Sequence, residues 1–247
     1  MSEELELKLL REIEELKNEL KLLKGESKDK LKQYSYSKMD FKTLKELFNI
    51  KKSFIDEVFK SWFDLQIEIK DEDLSFLKKL LQKYGKFIKA YKEETLKANF
   101  IIPIINRVDF LNFEKEISSF YEEIITYKTD DFILSGSVDF VLSRGLEYSE
   151  KPYFFIQEFK RDKESSDPEP QLLAEMIAGV ELNSWKQIKG AYIVGSIWNF
   201  VILEKIEDRY IYYISANFDS SKINDLIDIY KNLMFVKEEI LKISEID

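Results

Sequence analysis

A chain of 247 residues, 45% hydrophobic and 34% charged, has enough apolar material for one large globular core. It contains no cysteine and no histidine, which excludes zinc fingers, disulfide frameworks, thiol nucleophiles, Ser-His-Asp triads and phosphoryl chemistry that needs an imidazole base. The 38 basic against 47 acidic residues leave a net charge of −9, which argues against coating nucleic acid by general electrostatics but not against an enzyme with a local basic groove.

Seven glycines and four prolines are too few for a barrel or sandwich of many tight turns, so helices are favoured. A hydrolase built from these residue types must work with carboxylates, lysines, hydroxyls and a hard metal such as magnesium. No apolar run reaches the roughly 18 residues that a membrane span needs, and the Glu-rich start does not read as a signal peptide. The expected compartment is the cytoplasm, with no membrane partner.

In chain order, Ser2–Lys24 is dense in Glu, Leu and Lys, with Leu9, Ile13, Leu16, Leu20 and Leu23 on a heptad seam and Gly25 as a helix stop. Two readings stand: a helix docked on its own domain, or a homodimer formed through residues 9–23. A polar linker follows to Lys38. Lys28, Lys30, Lys32, Lys38, Lys42, Lys45, Lys51 and Lys52 cluster here, as a solvated face or as a phosphate-contacting patch. Helical periodicity runs from Phe41 to Leu65 and from Leu74 to Tyr91, with Gly85 a weak spot. A further helix spans Glu93 to Arg107, where Pro103 implies a kink or boundary. This organisation divides the chain into a heptad-patterned helix (1–25), a lysine-rich helical region (26–91) and a core with a C-terminal helix (92–247).

From about Ile124 the pattern changes to short β-branched and aromatic runs. Phe132–Leu134, Val138–Leu142 and Tyr153–Phe159 read as strands separated by turn chemistry at Ser135-Gly136-Ser137 and Arg144-Gly145. Pro168–Leu182 reads as a helix, Ala191–Ile197, Phe200–Glu204 and Tyr210–Ile214 as strands, and Ser221–Ile243 as the last helix.

The acidic residues fall at telling points of this order. Asp139 lies at the start of the second strand, and the third ends in Glu158-Phe159-Lys160. Residues two apart on a strand share a face, so Glu158 and Lys160 point the same way. A carboxylate and an ammonium at the end of an apolar strand are costly to bury without partners. Asp139 and Glu158 can supply oxygens to one or two magnesium ions, with the backbone carbonyl of Phe159 as a further ligand. Lys160 can position the attacking water or offset phosphate charge, its pKa falling beside a metal. The plain alternatives are a turn cap at Asp139 and an exposed cross-strand ion pair of Glu158 with Lys160.

This Asp139…Glu158-Phe159-Lys160 pattern resembles the PD-(D/E)xK nuclease superfamily, although Val138 stands where the family has its proline. Glu94-Thr95 followed by Phe100-Ile101-Ile102-Pro103 is similar to the first core helix of the type I restriction-subunit branch. The resemblance there implies Glu94 as a helix-borne metal ligand, with Glu93 as the adjacent alternative. Gln171-Leu172-Leu173-Ala174-Glu175-Met176 resembles the helix in which some branches place an active-site glutamine, here Gln171; Glu175 stands where those branches often carry tyrosine. The resemblance covers about Lys92 to Ile214. It implies an α/β fold of the restriction-endonuclease-like type, a central mixed sheet flanked by helices, to which the periodicity adds a helical N-terminal extension. It further implies a nuclease dependent on Mg2+ or Mn2+, acting on nucleic acid, DNA ahead of RNA. The rival expectation is an inactive member of that fold serving as a nucleic-acid- or protein-binding regulatory module.

Overall fold

The computed structural model describes residues 31–64, 67–162 and 167–243. The heptad seam at 9–23, the lysines Lys28 and Lys30, and Lys163 lie outside the described residues. Among the described residues no helix is long and apolar enough to cross a membrane.

The chain divides into two compact units. Of the described residues, the first holds 31–33 and Lys128–Ile133. Its hairpin tip is closed by Thr129, whose N–H bonds the carbonyl of Phe132 and whose hydroxyl oxygen accepts from the N–H groups of Asp131 and Phe132. The second unit runs from Tyr34 to Tyr127 and from Leu134 onward, and it contains every described candidate site residue.

The strands are β1 (Lys32–Ser35), β2 (Ile50–Lys52), β3 (Ile117–Lys128), β4 (Phe132–Arg144), β5 (Glu150–Lys160), β6 (Gln187–Val194), β7 (Ile197–Ile206), β8 (Arg209–Ile214) and β9 (Phe218–Asp219). The helices are α1 (Phe41–Leu47), α2 (Lys60–Phe63), α3 (Asp71–Tyr84), α4 (Glu93–Leu96), α5 (Ile102–Val108), α6 (Pro168–Asn183) and α7 (Ile223–Ile243). A π-helical turn, Lys97–Ile101, joins α4 to α5. In the larger unit the sheet order is β4-β5-β6-β7-β8-β2, with β3 beside β4 and β9 beside β7. The sheet is mixed: β4/β5, β6/β7 and β7/β8 are antiparallel, whereas β5/β6 and β2/β8 are parallel. A parallel neighbour requires a crossover, and α6 supplies the one between β5 and β6.

The sheet buries both faces, which is why β5 reads as an almost continuous apolar run. On one face Phe140, Phe155, Phe159, Ile193 and Phe200 pack with Trp62, Leu77, Phe100, Ile104 and the α7 residues Ile229, Leu233 and Val236. The other face is covered by α6, whose Gly179 and Met176 sit against Ile156, Ile188 and Gly190. A Cβ on Gly190 would stand 2.7 Å from the carbonyl oxygen of Ile156 and 2.9 Å from the Met176 sulfur, so the close approach of helix to sheet depends on glycine there. At its start, α6 is capped by Asp167, which accepts from the Glu169 N–H at 3.1 Å. Glu169 in turn is tied to β8 by the Tyr212 hydroxyl at 3.1 Å and to β2 by Lys52 at 3.4 Å.

Several expectations change in the folded chain. Helical periodicity from Phe41 ends at Leu47; Ile50–Lys52 becomes a strand because it finds the free edge of β8. Ser135-Gly136-Ser137 is not a turn but the middle of one long strand, β4, so Asp139 lies well inside a strand rather than at its start. Gly136 is needed for contact rather than for a bend: a Cβ there would meet the Tyr36 ring at 2.9 Å. The helix expected over Glu93–Arg107 is split by the π-turn, with Pro103 inside the first turn of α5, where a proline costs no hydrogen bond.

Candidate functional site

Asp139 on β4 and the Glu158-Phe159-Lys160 end of β5 meet across one antiparallel pair, whose register runs through Phe140 opposite Gln157. One carboxylate oxygen of Asp139, Oδ2, accepts from the Phe159 N–H at 2.8 Å. Lys160 Nζ donates to Glu158 Oε1 at 2.6 Å, as their shared strand face requires. Glu158 is 1% exposed and carries only that one bond, for its Oε2 has no hydrogen-bond partner among the described residues.

The helical approach brings further groups in. Glu94 is largely exposed and its carboxylate lies 3.8 Å from Lys97. Glu93 is turned toward the strand end: its Oε2 accepts from the Arg161 N–H at 2.9 Å, and its charge is felt by Lys160. The adjacent alternative thus stands nearer the β5 terminus than Glu94 does. Lys97 opens the π-turn, the kind of helix irregularity that re-aims a side chain. Its ammonium contacts Asp139 Oδ1 at 3.0 Å and Glu122 Oε1 at 3.1 Å. Glu122 reaches inward from β3 at a left-handed residue, φ 55°, and its other oxygen accepts from the Ser137 hydroxyl at 3.1 Å.

From above, α6 lowers Gln171 and Glu175 into the same region, both buried. Gln171 Nε2 donates to Glu175 Oε1 at 3.1 Å, one helical turn away. Glu175 Oε2 and the hydroxyl of Tyr36 have no hydrogen-bond partner among the described residues.

The electrostatics follow from this crowding. Burial, and then the charge of Asp139, push the Glu158 carboxyl up to about 8 against the pull of Lys160. Glu175 is raised well above the ordinary glutamate value, by complete burial first and by Glu158 second. Burial works against the charge on Lys160, but Glu158, Asp139 and Glu93 outweigh it and hold its pKa above the usual lysine value. The lowered lysine pKa expected from the sequence is not met in this arrangement. Lys97 is likewise raised: burial opposes its charge, and Asp139 and Glu122 overcome it.

The donor set suits a hard divalent cation, because it is all oxygen and leaves buried carboxylate oxygens unpartnered. Among the described residues no three acidic side chains converge closely enough to ligate one ion by themselves. Both Asp139 oxygens are engaged, one by Lys97 and one by the Phe159 N–H. The sequence-based reading named Asp139, Glu158, Phe159, Lys160, Gln171 and the Glu93/Glu94 pair but gave no role to Lys97, Glu122 or Glu175. A signal existed for two of them. Lys97 is three residues after Glu94, and Glu175 is four after Gln171, both spacings that share a helix face. For Glu122 there was none, since its inward turn depends on a left-handed backbone within a strand.

No protein-family model and no curated protein matches this sequence.

Proposed function

We propose that this chain is a nuclease of the PD-(D/E)xK type with a restriction-endonuclease-like core, cleaving phosphodiester bonds with Mg2+ or Mn2+ and acting on DNA ahead of RNA. One observation carries the reading: Asp139 on β4 and Glu158-Phe159-Lys160 on β5 lie side by side, with Asp139 Oδ2 at 2.8 Å from the Phe159 N–H and Lys160 at 2.6 Å from Glu158. The chain order of the α4–α5 helix, β3, β4, β5, α6 and β6 agrees with the fold that this motif implies. A bound divalent ion would polarise the phosphate and lower the pKa of a water. Glu158, Asp139 and the carbonyl of Phe159 are the groups to hold it, and Glu93 is better placed than Glu94 to assist. Lys160, charged and at the β5 terminus, offsets the charge that develops on the phosphate and orients the nucleophilic water. Gln171 anchors the buried acid Glu175 behind Glu158.

The test is cleavage of single- and double-stranded DNA and RNA with Mg2+ or Mn2+, beside a Lys160→Ala control. Metal-dependent cleavage lost in the control supports the reading. Nucleic-acid binding with neither cleavage nor Mn2+ uptake by the wild type would leave the inactive regulatory module in its place.

A further inference from the structure

The oxygens around the site divide into used and unused ones. Asp139 Oδ1 is held by Lys97 and Oδ2 by the Phe159 N–H. Glu158 Oε1 is held by Lys160, and Glu175 Oε1 by Gln171. The Oε2 atoms of Glu158 and Glu175 remain, both buried and both without a partner among the described residues. A buried acceptor left unpaired is unfavourable by about 1–3 kcal/mol, and more for a charged one, so an ion, a water or a proton is called for between them.

Helix register places the two together. On α6, Gly179 lies over Ile156 and Ile188, and Met176 lies over Ile156 and Gly190. Moving toward the start of the helix therefore follows β5 and β6 toward Glu158 and Tyr192, which are paired neighbours. Glu175 feels the charge of Glu158 more strongly than that of any other group. The unpartnered hydroxyl of Tyr36, which feels the charge of Glu175, adds a third oxygen on that side.

We propose that the divalent cation is held on the inner side of the site, between Glu158 Oε2 and Glu175 Oε2, while Lys97 serves as the fixed counter-charge of Asp139. This rests on the metal-dependent reading above and adds to it a ligand, Glu175, from the helix. Two carboxylates with the remaining positions filled by water and substrate phosphate are an ordinary set for magnesium. Lys97 directs the choice: a second cation beside Asp139 would meet an ammonium that already sits 3.0 Å from that carboxylate.

The experiment is calorimetric titration of Mn2+ into the full chain and into Glu175→Gln, which keeps the side-chain shape and the contact with Gln171. The proposal expects affinity to fall about tenfold or more, with circular dichroism unchanged. Wild-type binding with unaltered affinity in the variant overturns the inner site and leaves the nuclease reading standing. No Mn2+ binding by the wild type overturns both. A second measurement needs no variant: on adding Mg2+ to the wild type, the side-chain carboxyl 13C signals of Glu158 and Glu175 should move. Movement of Asp139 and Glu158 with Glu175 unmoved would place the ion on the outer side and reject the proposal.

Discussion

Lys160 reaches Glu158 at 2.6 Å with its side chain only 18% exposed, so its ammonium is positioned before any substrate arrives. A group placed in this way and removed by truncation should cost cleavage about 100-fold or more. Lys160→Ala is expected to do so while Mn2+ still binds by calorimetry; loss of both together would mean that the lysine supports the fold of the site rather than the reaction. Glu158 carries a separate pH signature. Its folded pKa is raised from 4.5 to about 8, by burial first and Asp139 second, and Glu175 shifts in the same direction. A carboxyl that holds its proton more tightly when folded gives its full stabilisation below about 4.5, and that contribution is lost as pH rises toward about 8. The melting temperature of the metal-free protein should therefore fall across that window, and Glu158→Gln should flatten the fall. A melting temperature that rises between those limits would show that the carboxyl is ionised throughout.

At the scale of elements, three local irregularities build the site. The π-turn opening at Lys97, the left-handed Glu122 within β3 and the close seating of α6 on β5 and β6 each aim a charged side chain at one place. The α6 contact is the one most exposed to a small change, because the gap over Gly190 has no room for a methyl group. Gly190→Ala should lower stability to urea by about 1–3 kcal/mol, the usual cost of overpacking a close-fitted interior. Because α6 carries Gln171 and Glu175, the same substitution should weaken Mn2+ binding too. Unchanged stability would mean that the helix can lift without loss, and that its seating does not control the site.

At the scale of the whole molecule the net charge is −9, yet basic side chains gather on the α6 side. Lys38 and Gln171 line one cleft, Lys42 and Lys45 are exposed on α1, which packs on α6, and Arg161 is exposed at the end of β5. Affinity for a DNA duplex should fall as salt rises, with a log–log slope of about −0.9 for each phosphate contacted. Charge reversal at Lys38, Lys42 and Lys45 should make that slope shallower; binding indifferent to salt would refute the groove. What the sequence determined by itself was local: strand period puts Glu158 and Lys160 on one face, helix period puts Gln171 and Glu175 one turn apart, and the α/β class follows from the alternation of these periods. The tertiary structure decided the rest. Ile50–Lys52 left a helical pattern because β8 offered it an edge, Ser135-Gly136-Ser137 continued a strand because Tyr36 packs against the glycine, and Glu93 rather than Glu94 faced the β5 terminus. Periodicity describes which side of its own element a residue occupies. Partner choice, burial and the pKa of Glu158 depend on what lies across the gap from it, and only the folded chain supplies that neighbour.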